Sequence, residues 1–419
     1  MGKAVRETGL HHASFHNRRQ TAAETDFRAE KDNQGDAGMT YDEMNECLDA
    51  LRKNNNLRTI PAVRHEGRFV IADGRKMLNL SSNDYLGLAS DRSMKEEFAD
   101  SISCADTRFG STSSRLLTGN YEVMNECENL LARMYGTESA LVFDSGYHAN
   151  SGILLAISGP STLILADKLV HASIIDGLQL SRGKVMRFRH NDFQHVEYLI
   201  ERYAESFKDV IIVTESIFSM DGDVTDLKRL VAIKNKYREA DVKLYVDEAH
   251  AFGVRGRRGL GVCEEQGVTG DVDFIVGTFG KAVNSVGAFV ACNETAATYL
   301  VNKARTLIFT TALPPVCWQW TLFVLRRMAD FGERRNRLEE LWQRFKSVDS
   351  RVASHIIPVI MGSSEDAVRK ASELRQNGFY VLPVRPPSVP EGTSRLRISL
   401  TAGIEDEEMY RLITLLKEA

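Results

Sequence analysis

The feature that most constrains the fold is an alternation of short apolar runs with amphipathic segments. The apolar runs, each ending in polar residues or glycine, are ALVFDSG, STLILAD, DVIIVTES, VKLYVDEAH, DFIVGTFGK and VGAFVAC. Such runs are typical of buried strands, and helical patterns such as SIIDGLQLSRG and DLKRLVAIKNKY lie between several of them. The alternation predicts an α/β fold with a mostly parallel central sheet. Ligands of such sheets bind beyond the carboxyl ends of the strands, so the polar residues there are the first candidates for function.

The pattern changes after about residue 318, where helical segments alternate with the short strands HIIPVIMG, FYVLPVR and RLRISL. This change predicts a second, smaller α+β domain at the C-terminus. The opening residues are polar, have almost no apolar periodicity and lack the apolar stretch of a secretory signal, which favours disorder. The predicted organisation is a disordered extension 1–38, an N-terminal segment 39–90 that starts with a helix near Tyr41, a large domain 91–318 and a small domain 319–419.

Composition excludes several classes of function. The chain has 57 acidic and 53 basic residues and a net charge of −4, so its charge does not favour binding to nucleic acid or to an anionic membrane. No apolar run is long enough to predict a membrane-spanning helix. The 6 cysteines have no metal-ligand spacing, so we predict no metal site. Scattered thiols and the lack of a signal peptide indicate a reducing cytoplasm.

Lys281 lies in a turn of small residues between two apolar strands. Burial of an ammonium group is costly, which lowers the lysine pKa and makes its amine nucleophilic, although a solvated loop lysine is the alternative. Asp247 ends another strand, where a carboxylate could keep the ring nitrogen of pyridoxal 5'-phosphate (PLP) protonated, or could simply cap a helix. His250 follows three residues later and could bond the hydroxyl group of the ring.

Two further strand ends carry candidate residues. Ser145, Gly146 and Tyr147 lie in a strand–turn–helix segment whose backbone N–H groups favour a phosphate. His171 follows the strand STLILAD and could lie flat on a cofactor ring, with a helix-capping or solvent-exposed histidine as the alternative. Ser216 and Ser219 follow a third strand.

Taken in order, these segments resemble the α-oxoamine synthases, which are fold-type I PLP enzymes. They condense an amino acid with an acyl thioester and release CO2. The resemblance runs from about Tyr41 to the C-terminus and includes the segments LNLSSNDYLGLAS, RFGSTSSRLLTGNYE, IFSMDGD, GRRGLG, FTTALPP and RLRISLTA. It implies PLP as the cofactor and a homodimer in which FTTALPP reaches towards the neighbouring cofactor.

The resemblance also implies roles for individual residues. The catalytic residues would be Lys281, His171 and Asp247, with Lys281 carrying the cofactor covalently. The cofactor-binding residues would be Ser145, Gly146, Tyr147, His171, Ser219, Asp247, His250, Thr278, Lys281, Thr310 and Thr311, of which Thr310 or Thr311 would reach the phosphate in the partner subunit. The substrate-binding residues would be Arg58, Asn83, His171, Ser388 and Arg397, with Arg397 on the amino-acid carboxylate.

Within the family, SRLLTGN and FTTALPP favour an enzyme of biotin synthesis that joins L-alanine to pimeloyl-CoA or to a pimeloyl carrier-protein thioester. The alternatives are glycine C-acetyltransferase, another α-oxoamine synthase such as a long-chain ketone synthase, and a non-catalytic partner subunit. The presence of Lys281 argues against the last of these. The chain departs from the family where GSTSSR places Thr112 and Ser113 at glycine positions, where TAGI lacks a usual histidine, and in residues 1–38.

Overall fold

The structure is a computed structural model that describes residues 39–103 and 105–417, so the prediction for residues 1–38 lies outside the described part. The strands are β1 (Arg64–Glu66), β2 (Phe69–Ala72), β3 (Arg75–Asn79), β4 (Ser139–Phe143), β5 (Thr162–Asp167), β6 (Lys184–Phe188), β7 (Asp209–Glu215), β8 (Val242–Asp247), β9 (Phe274–Thr278), β10 (Ala288–Cys292), β11 (Ile356–Gly362), β12 (Phe379–Tyr380), β13 (Pro383–Val384) and β14 (Ser394–Ser399).

The α-helices are α1 (Tyr41–Lys53), α2 (Arg92–Ser101), α3 (Glu122–Tyr135), α4 (Gly146–Ile157), α5 (Ala172–Leu180), α6 (Phe193–Tyr203), α7 (Leu227–Lys236), α8 (Val262–Glu265), α9 (Glu294–Lys303), α10 (Arg305–Ile308), α11 (Pro315–Arg326), α12 (Gly332–Lys346), α13 (Ser364–Gln376) and α14 (Asp406–Lys417). None of the helices in the described ranges is long and apolar enough to cross a membrane.

A seven-stranded sheet in the order β4-β10-β9-β8-β7-β5-β6 forms the centre of the molecule. Strands β5 to β9 pair in parallel, and β10 alone runs antiparallel to its neighbours β4 and β9. The predicted α/β fold with a mostly parallel sheet is therefore confirmed. The register pairs Glu215 at the end of β7 with Asp247 at the end of β8, which brings two carboxyl groups to one edge of the sheet.

The central strands are apolar on both faces because helices cover both faces of the sheet. All of β5 is buried. Leu163 and Leu165 pack into one hydrophobic cluster, whereas Ile164 and Ala166 pack into another, as the alternation of side chains along a strand requires. The two cores hold the strands rigidly, so the residues at their carboxyl ends have fixed positions.

Two smaller sheets lie outside the central one, in the orders β1-β2-β3-β12 and β11-β14-β13. The first joins N-terminal strands to a C-terminal one, because β12 pairs in parallel with β3. A further bond, from Ser399 N to Leu80 O at 2.9 Å, ties β14 to the same N-terminal segment. These contacts carry residues of the N-terminal segment and of β14 towards the edge of the central sheet. The four-part domain division stays a prediction.

Candidate active site

Lys281 follows β9 closely in the chain, and its Nζ atom lies 2.8 Å from Nε2 of His250. Burial lowers the pKa of Lys281 to about 8, although the charges of Asp247 and Glu215 oppose this shift. A substantial fraction of the amine is thus neutral near physiological pH, as a nucleophile or general base requires.

Asp247 ends β8 and is almost completely buried. Its Oδ2 accepts a hydrogen bond from Nδ2 of Asn150 at 2.7 Å, and its Oδ1 accepts one from the backbone N–H of Ala249 at 2.8 Å. Asn150 is itself held in place, because its Oδ1 accepts a bond from the Tyr245 hydroxyl at 2.7 Å. The carboxylate therefore has a fixed orientation next to the cavity that Lys281 also faces.

A cavity of about 190 Å³ lies at the carboxyl ends of these strands. Its lining includes the predicted residues Gly146, Tyr147, His171, Asp247, His250, Thr278 and Lys281. Asn150, Ser173, Glu215 and Ala249 complete the lining. The structure thus brings an amine, two imidazoles and two carboxyl groups together around one small space.

The start of α4 forms another wall of this cavity. Ser145 caps the helix, because its Oγ accepts a bond from the backbone N–H of His148 at 3.1 Å. Gly146 and Tyr147 are the first two helical residues, and N–H groups at those positions have no partner inside the helix. A Cβ atom added at Gly146 would lie 3.7 Å from Cβ of Thr278, so the threonine stands beside the helix end. This arrangement suits an anion such as a phosphate.

His171 both caps α5 and faces the cavity, so the capping interpretation and the cofactor interpretation are compatible. Its Nδ1 lies 2.8 Å from Oγ of Ser173, and its backbone N–H donates to the carboxyl group of Glu215. The residue as a whole is exposed, and it lines the cavity. Burial of part of the ring lowers the pKa of His171, so its imidazole is neutral at physiological pH.

Glu215 is a cavity residue that the sequence analysis did not single out. Burial raises the pKa of its carboxyl group well above the ordinary value, and the neighbouring Asp247 acts in the same direction. The sequence did contain a signal for this residue, since Glu215 is the last residue of β7 and the polar ends of parallel strands converge on the site.

Arg397 and Asn83, two predicted substrate residues, are connected to Lys281 through Tyr85 and His250. Arg397 donates from Nη1 to Oδ1 of Asn83 at 3.2 Å and from Nη2 to the Tyr85 hydroxyl at 3.3 Å. That hydroxyl lies 2.7 Å from Nδ1 of His250. Arg397 also donates from Nε to the carbonyl of Ser219, whose hydroxyl does not line the cavity.

The remaining predicted residues lie outside the cavity. Nη2 of Arg58 donates to Oγ of Ser388 at 3.0 Å, so these two substrate candidates contact each other. The Thr310 hydroxyl donates to Oδ2 of Asp144 at 3.0 Å within the same chain, and Thr311 is exposed. Whether either threonine reaches a partner subunit stays a prediction. Across the described ranges, the structure contains no group of His, Cys, Asp and Glu side chains arranged to hold a metal ion.

The donor set fits PLP, which presents an aldehyde, a ring nitrogen, a ring hydroxyl and a phosphate. Lys281 supplies an amine of lowered pKa, and Asp247 supplies a buried carboxylate that is already held by two donors. His250 is a neutral imidazole because burial and the nearby charges of Lys281 and Arg397 lower its pKa well below the ordinary value. The start of α4 offers the N–H groups that a phosphate needs.

Comparisons with known proteins agree with this chemistry. The family model described as aminotransferase class I and II matches residues 75–416. A protein of Glaesserella parasuis serovar 5, which carries the provisional name 8-amino-7-oxononanoate synthase, is 48% identical over 376 residues, covering 88% of this chain and 98% of that protein.

Solved structures show the same likeness. A serine palmitoyltransferase from S. paucimobilis with bound PLP and myriocin superposes with a TM-score of 0.81 and 29% identity, over 90% of this chain and 96% of that one. An 8-amino-7-oxononanoate synthase from Francisella tularensis gives a TM-score of 0.70 and 27% identity, over 82% of this chain and 97% of that one. The chain belongs to the α-oxoamine synthases. Like the family, it has the fold of type I PLP enzymes, uses PLP as its cofactor and is an acyltransferase.

One departure from the α-oxoamine synthase pattern has a structural consequence. Thr112, which replaces a family glycine in GSTSSR, adopts a φ of 54°. A β-branched residue is strained in this left-handed region, where glycine is not. The segment also contacts FTTALPP, because Ala312 N donates to Ser113 O at 3.1 Å.

Proposed function

We propose that the protein catalyses the decarboxylative condensation of L-alanine with a pimeloyl thioester to give 8-amino-7-oxononanoate, a cytoplasmic step of biotin synthesis. The acyl donor would be pimeloyl-CoA or pimeloyl carrier protein. The observation that carries the proposal is the hydrogen-bonded connection from Lys281 through His250 and Tyr85 to Arg397, since it joins the proposed base to the proposed carboxylate receptor. The name of the relative that is 48% identical supports this pair of substrates.

PLP, when bound, withdraws electrons from the amino-acid Cα atom, so that this atom can lose a proton or CO2. Lys281 would hold the cofactor, remove the Cα proton and later return it, and its pKa of about 8 suits that exchange. Asp247 would keep the ring nitrogen protonated, while His250 and Ser219 would lie at the ring hydroxyl. His171 would cover the ring and shield it from water. Ser145, Gly146, Tyr147 and Thr278 would surround the phosphate.

Arg397 is suited to the carboxylate of the amino acid. Its present acceptors are neutral oxygens of Ser219, Asn83, Ser399 and Tyr85. No ion pair joins it to an acidic side chain in the part of the chain that the structure describes. A substrate carboxylate would therefore supply the missing counter-charge, and a bond to a charged acceptor is stronger than the bonds to neutral oxygens that Arg397 now makes.

A pair of arginines, Arg58 and Arg385, suits the far end of the acyl chain. Burial lowers the pKa of Arg385, and the charge of Arg58 acts in the same direction, so the two guanidinium groups lie near each other. Arg58 bonds the Ser388 hydroxyl and Arg385 bonds the Asn55 carbonyl, both neutral acceptors. Two neighbouring cations with neutral partners favour an acyl group that ends in a carboxylate, as pimeloyl does.

The active form is proposed to be a homodimer. Large apolar side chains are exposed on two adjacent loops, namely Phe109, Leu116, Leu117 and Phe309. The loops are joined by the bond from Ser111 Oγ to Leu313 O at 2.7 Å. Contiguous exposed apolar surface is typical of protein interfaces. Light scattering that found an active monomer would contradict the proposal.

The test is thiol release with L-alanine or glycine, each paired with a pimeloyl or an acetyl thioester, plus L-serine with palmitoyl-CoA. L-alanine with the pimeloyl thioester should give the highest kcat/KM. Glycine should keep some turnover, because one methyl group is worth only about 1–3 kcal/mol. The acyl end should discriminate more, at about 0.8 kcal/mol for each methylene buried. If glycine with acetyl-CoA were fastest, the protein would be a glycine C-acetyltransferase; if serine with palmitoyl-CoA were fastest, it would be a long-chain ketone synthase.

A further inference from the structure

The hydroxyl of Tyr85 lies at the centre of the network that connects Lys281 to Arg397. It is 2.7 Å from Nδ1 of His250 and 3.0 Å from Oδ1 of Asn83, and it accepts a bond from Arg397. A phenol has one hydrogen, so this hydroxyl cannot donate to Asn83 and His250 at the same time. Its choice between them fixes what His250 can offer to Lys281.

Counting hydrogens gives one arrangement for each charge state of Lys281 in which both imidazole nitrogens and any lone pair of the amine have partners, because a neutral His250 carries one ring hydrogen. When the Lys281 amine is protonated, it donates to Nε2 of His250, Nδ1–H donates to the Tyr85 oxygen, and Tyr85 donates to Asn83. When the amine is neutral, Nε2–H of His250 donates to Nζ, and Tyr85 donates to Nδ1. In both arrangements each nitrogen of the imidazole has a partner.

The geometry points to Tyr85 as a positioning residue that moves its hydrogen between Asn83 and His250 as Lys281 loses or gains a proton. His250 thereby changes from acceptor to donor without becoming charged. This matters because a buried donor without an acceptor destabilises the arrangement that contains it. The inference rests on the proposed role of Lys281 as the base. It adds Tyr85 and Asn83 as the residues whose hydrogen bonds adjust when the buried amine changes charge.

Several other charged or titratable groups face this network and must be held constant in a test. Asp247 and Glu215 favour the protonated form of Lys281, whereas Arg397 and burial favour its neutral form. Lys281, Arg397, His355 and His171 all disfavour a charged His250. The variant Tyr85→Phe leaves all of these side chains in place. It also keeps the aromatic ring, whose centroid lies 4.0 Å from that of His355.

The experiment measures the titration of Lys281 in cofactor-free, full-length protein. The protein is labelled with acetic anhydride across a range of pH, and the peptide that contains Lys281 is quantified by mass spectrometry. In Tyr85→Phe the protonated amine would leave the buried Nδ1–H of His250 without an acceptor, so the neutral amine is favoured. We expect the labelling midpoint to fall by about half a unit to one unit. Asn83→Ala should lower it too, because Asn83 is the acceptor that the protonated arrangement needs.

Tyr135→Phe is the matched control. This buried phenol donates to the carbonyl of Leu260 at 2.8 Å, away from Lys281, so its loss should leave the midpoint unchanged. A midpoint in Tyr85→Phe that is unchanged or higher than in the wild type would overturn the inference.

Nitrogen NMR of labelled histidine gives a second readout. In the wild type the ring hydrogen of His250 should move from Nδ1 to Nε2 at the pH where Lys281 titrates, and in Tyr85→Phe that move should follow the lowered midpoint of Lys281. A wild-type His250 that kept one form would also reject the switch. If the switch operates but the holoenzyme turns over none of the tested substrates, the proposed function fails and the inference about Tyr85 stands.

Discussion

Two histidines at the same edge of the central sheet lie in opposite electrostatic surroundings. His190 is held between two carboxylates, with Nδ1 2.9 Å from Asp167 and Nε2 2.8 Å from Asp223. His250 is held between the Tyr85 hydroxyl and the amine of Lys281. Burial disfavours the charged form of both rings, but the bonds to Asp167 and Asp223 overcome it and raise the pKa of His190 to about 10. At His250, burial and the neighbouring cations act together and lower the pKa.

The difference shows that partners, more than burial, decide whether a strand-end histidine is a fixed structural charge or a group that can exchange hydrogens. His190 stays protonated and connects Asp167, at the end of β5, to Asp223 in the SMDGD segment. Nδ2 of Asn191 also donates to Asp223, at 2.8 Å. That segment carries Ser219, whose carbonyl accepts a bond from Arg397. The charged cluster around His190 therefore fixes the position of one wall of the site, whereas the neutral cluster around His250 is where we propose that protons move.

The largest effect is expected from Lys281→Ala, which removes the proposed base and one of the charges that, with burial, keep His250 neutral. Turnover should fall by about 10²–10⁴-fold from the loss of acid–base catalysis alone. Borohydride reduction should no longer link PLP to the peptide that contains residue 281. Lys243→Ala is the control, because Lys243 pairs with Asp209 and Asp241 away from the cavity. Covalent label on another lysine of the wild type would refute the assignment of Lys281.

Asp247→Asn should have the next largest effect, because it removes the buried charge that favours protonation of Lys281. Turnover should fall strongly, because an amide cannot keep the ring nitrogen of bound PLP protonated. PLP should still bind. The labelling midpoint of Lys281 should fall below its value of about 8 in the wild type. Asp223→Asn changes the surroundings of His190 instead and should leave that midpoint unchanged; equal shifts in both variants would show that the two clusters are not independent.

The sequence predicted the fold where local pattern and burial agree. Strands β5, β7 and β8 are apolar at nearly every position because helices cover both faces, and they were identified directly. Strand β6 was not identified, because KVMRF is an edge strand with partly exposed, charged positions. The pairing of β12 with β3 could not be inferred either, since it joins segments some 300 residues apart with no local signal.

The site was predictable at strand ends and less so elsewhere. Lys281, Asp247, His250 and His171 were found because each follows a strand of the central sheet, and the structure gathers them around one cavity. Tyr85 and Asn150 were missed because their roles arise from tertiary contacts, such as the bonds to His250 and Asp247. The roles of Thr310 and Thr311 depend on a second subunit and stay predictions.

A smaller effect is expected from His190→Gln, and its sign follows from linkage. The pKa of His190 is about 10 in the folded protein, against an ordinary value of about 6.5 when unfolded. The stability that it contributes is therefore complete below about pH 6.5 and is lost as the pH rises through about 10. The side chain is 26% exposed, so solvent screening reduces this contribution to about 2 kcal/mol.

Urea denaturation at several pH values measures the contribution of His190 to the free energy of unfolding. The difference in unfolding free energy between wild type and His190→Gln should shrink as the pH rises, and taking the difference cancels the titration of Lys281. His65→Gln, on exposed strand β1, is the control. A constant difference for His190→Gln would mean that the histidine is not charged in the folded protein.

The smallest effect is expected at His355, a third histidine, which is buried without hydrogen-bond partners. It is fully buried, neither ring nitrogen has a hydrogen-bond partner in the structure, and its ring packs edge-on against Tyr85. Burial, aided by the charges of Arg255 and Arg397, lowers its pKa well below the ordinary value. The unfolded chain therefore binds a proton below about pH 6.5 that the folded protein does not, so this residue lowers stability as the pH falls, opposite to His190.

His355→Leu should remove this loss of stability, which amounts to about 1.4 kcal/mol one pH unit below the unfolded pKa. Any packing cost of the leucine does not depend on pH, so the measurement is the change in the wild-type-minus-variant difference between about pH 7.5 and about pH 5.5. A difference that stays constant over that range would mean that His355 is protonated in the folded protein, and that burial alone does not determine the charge of an unpartnered histidine.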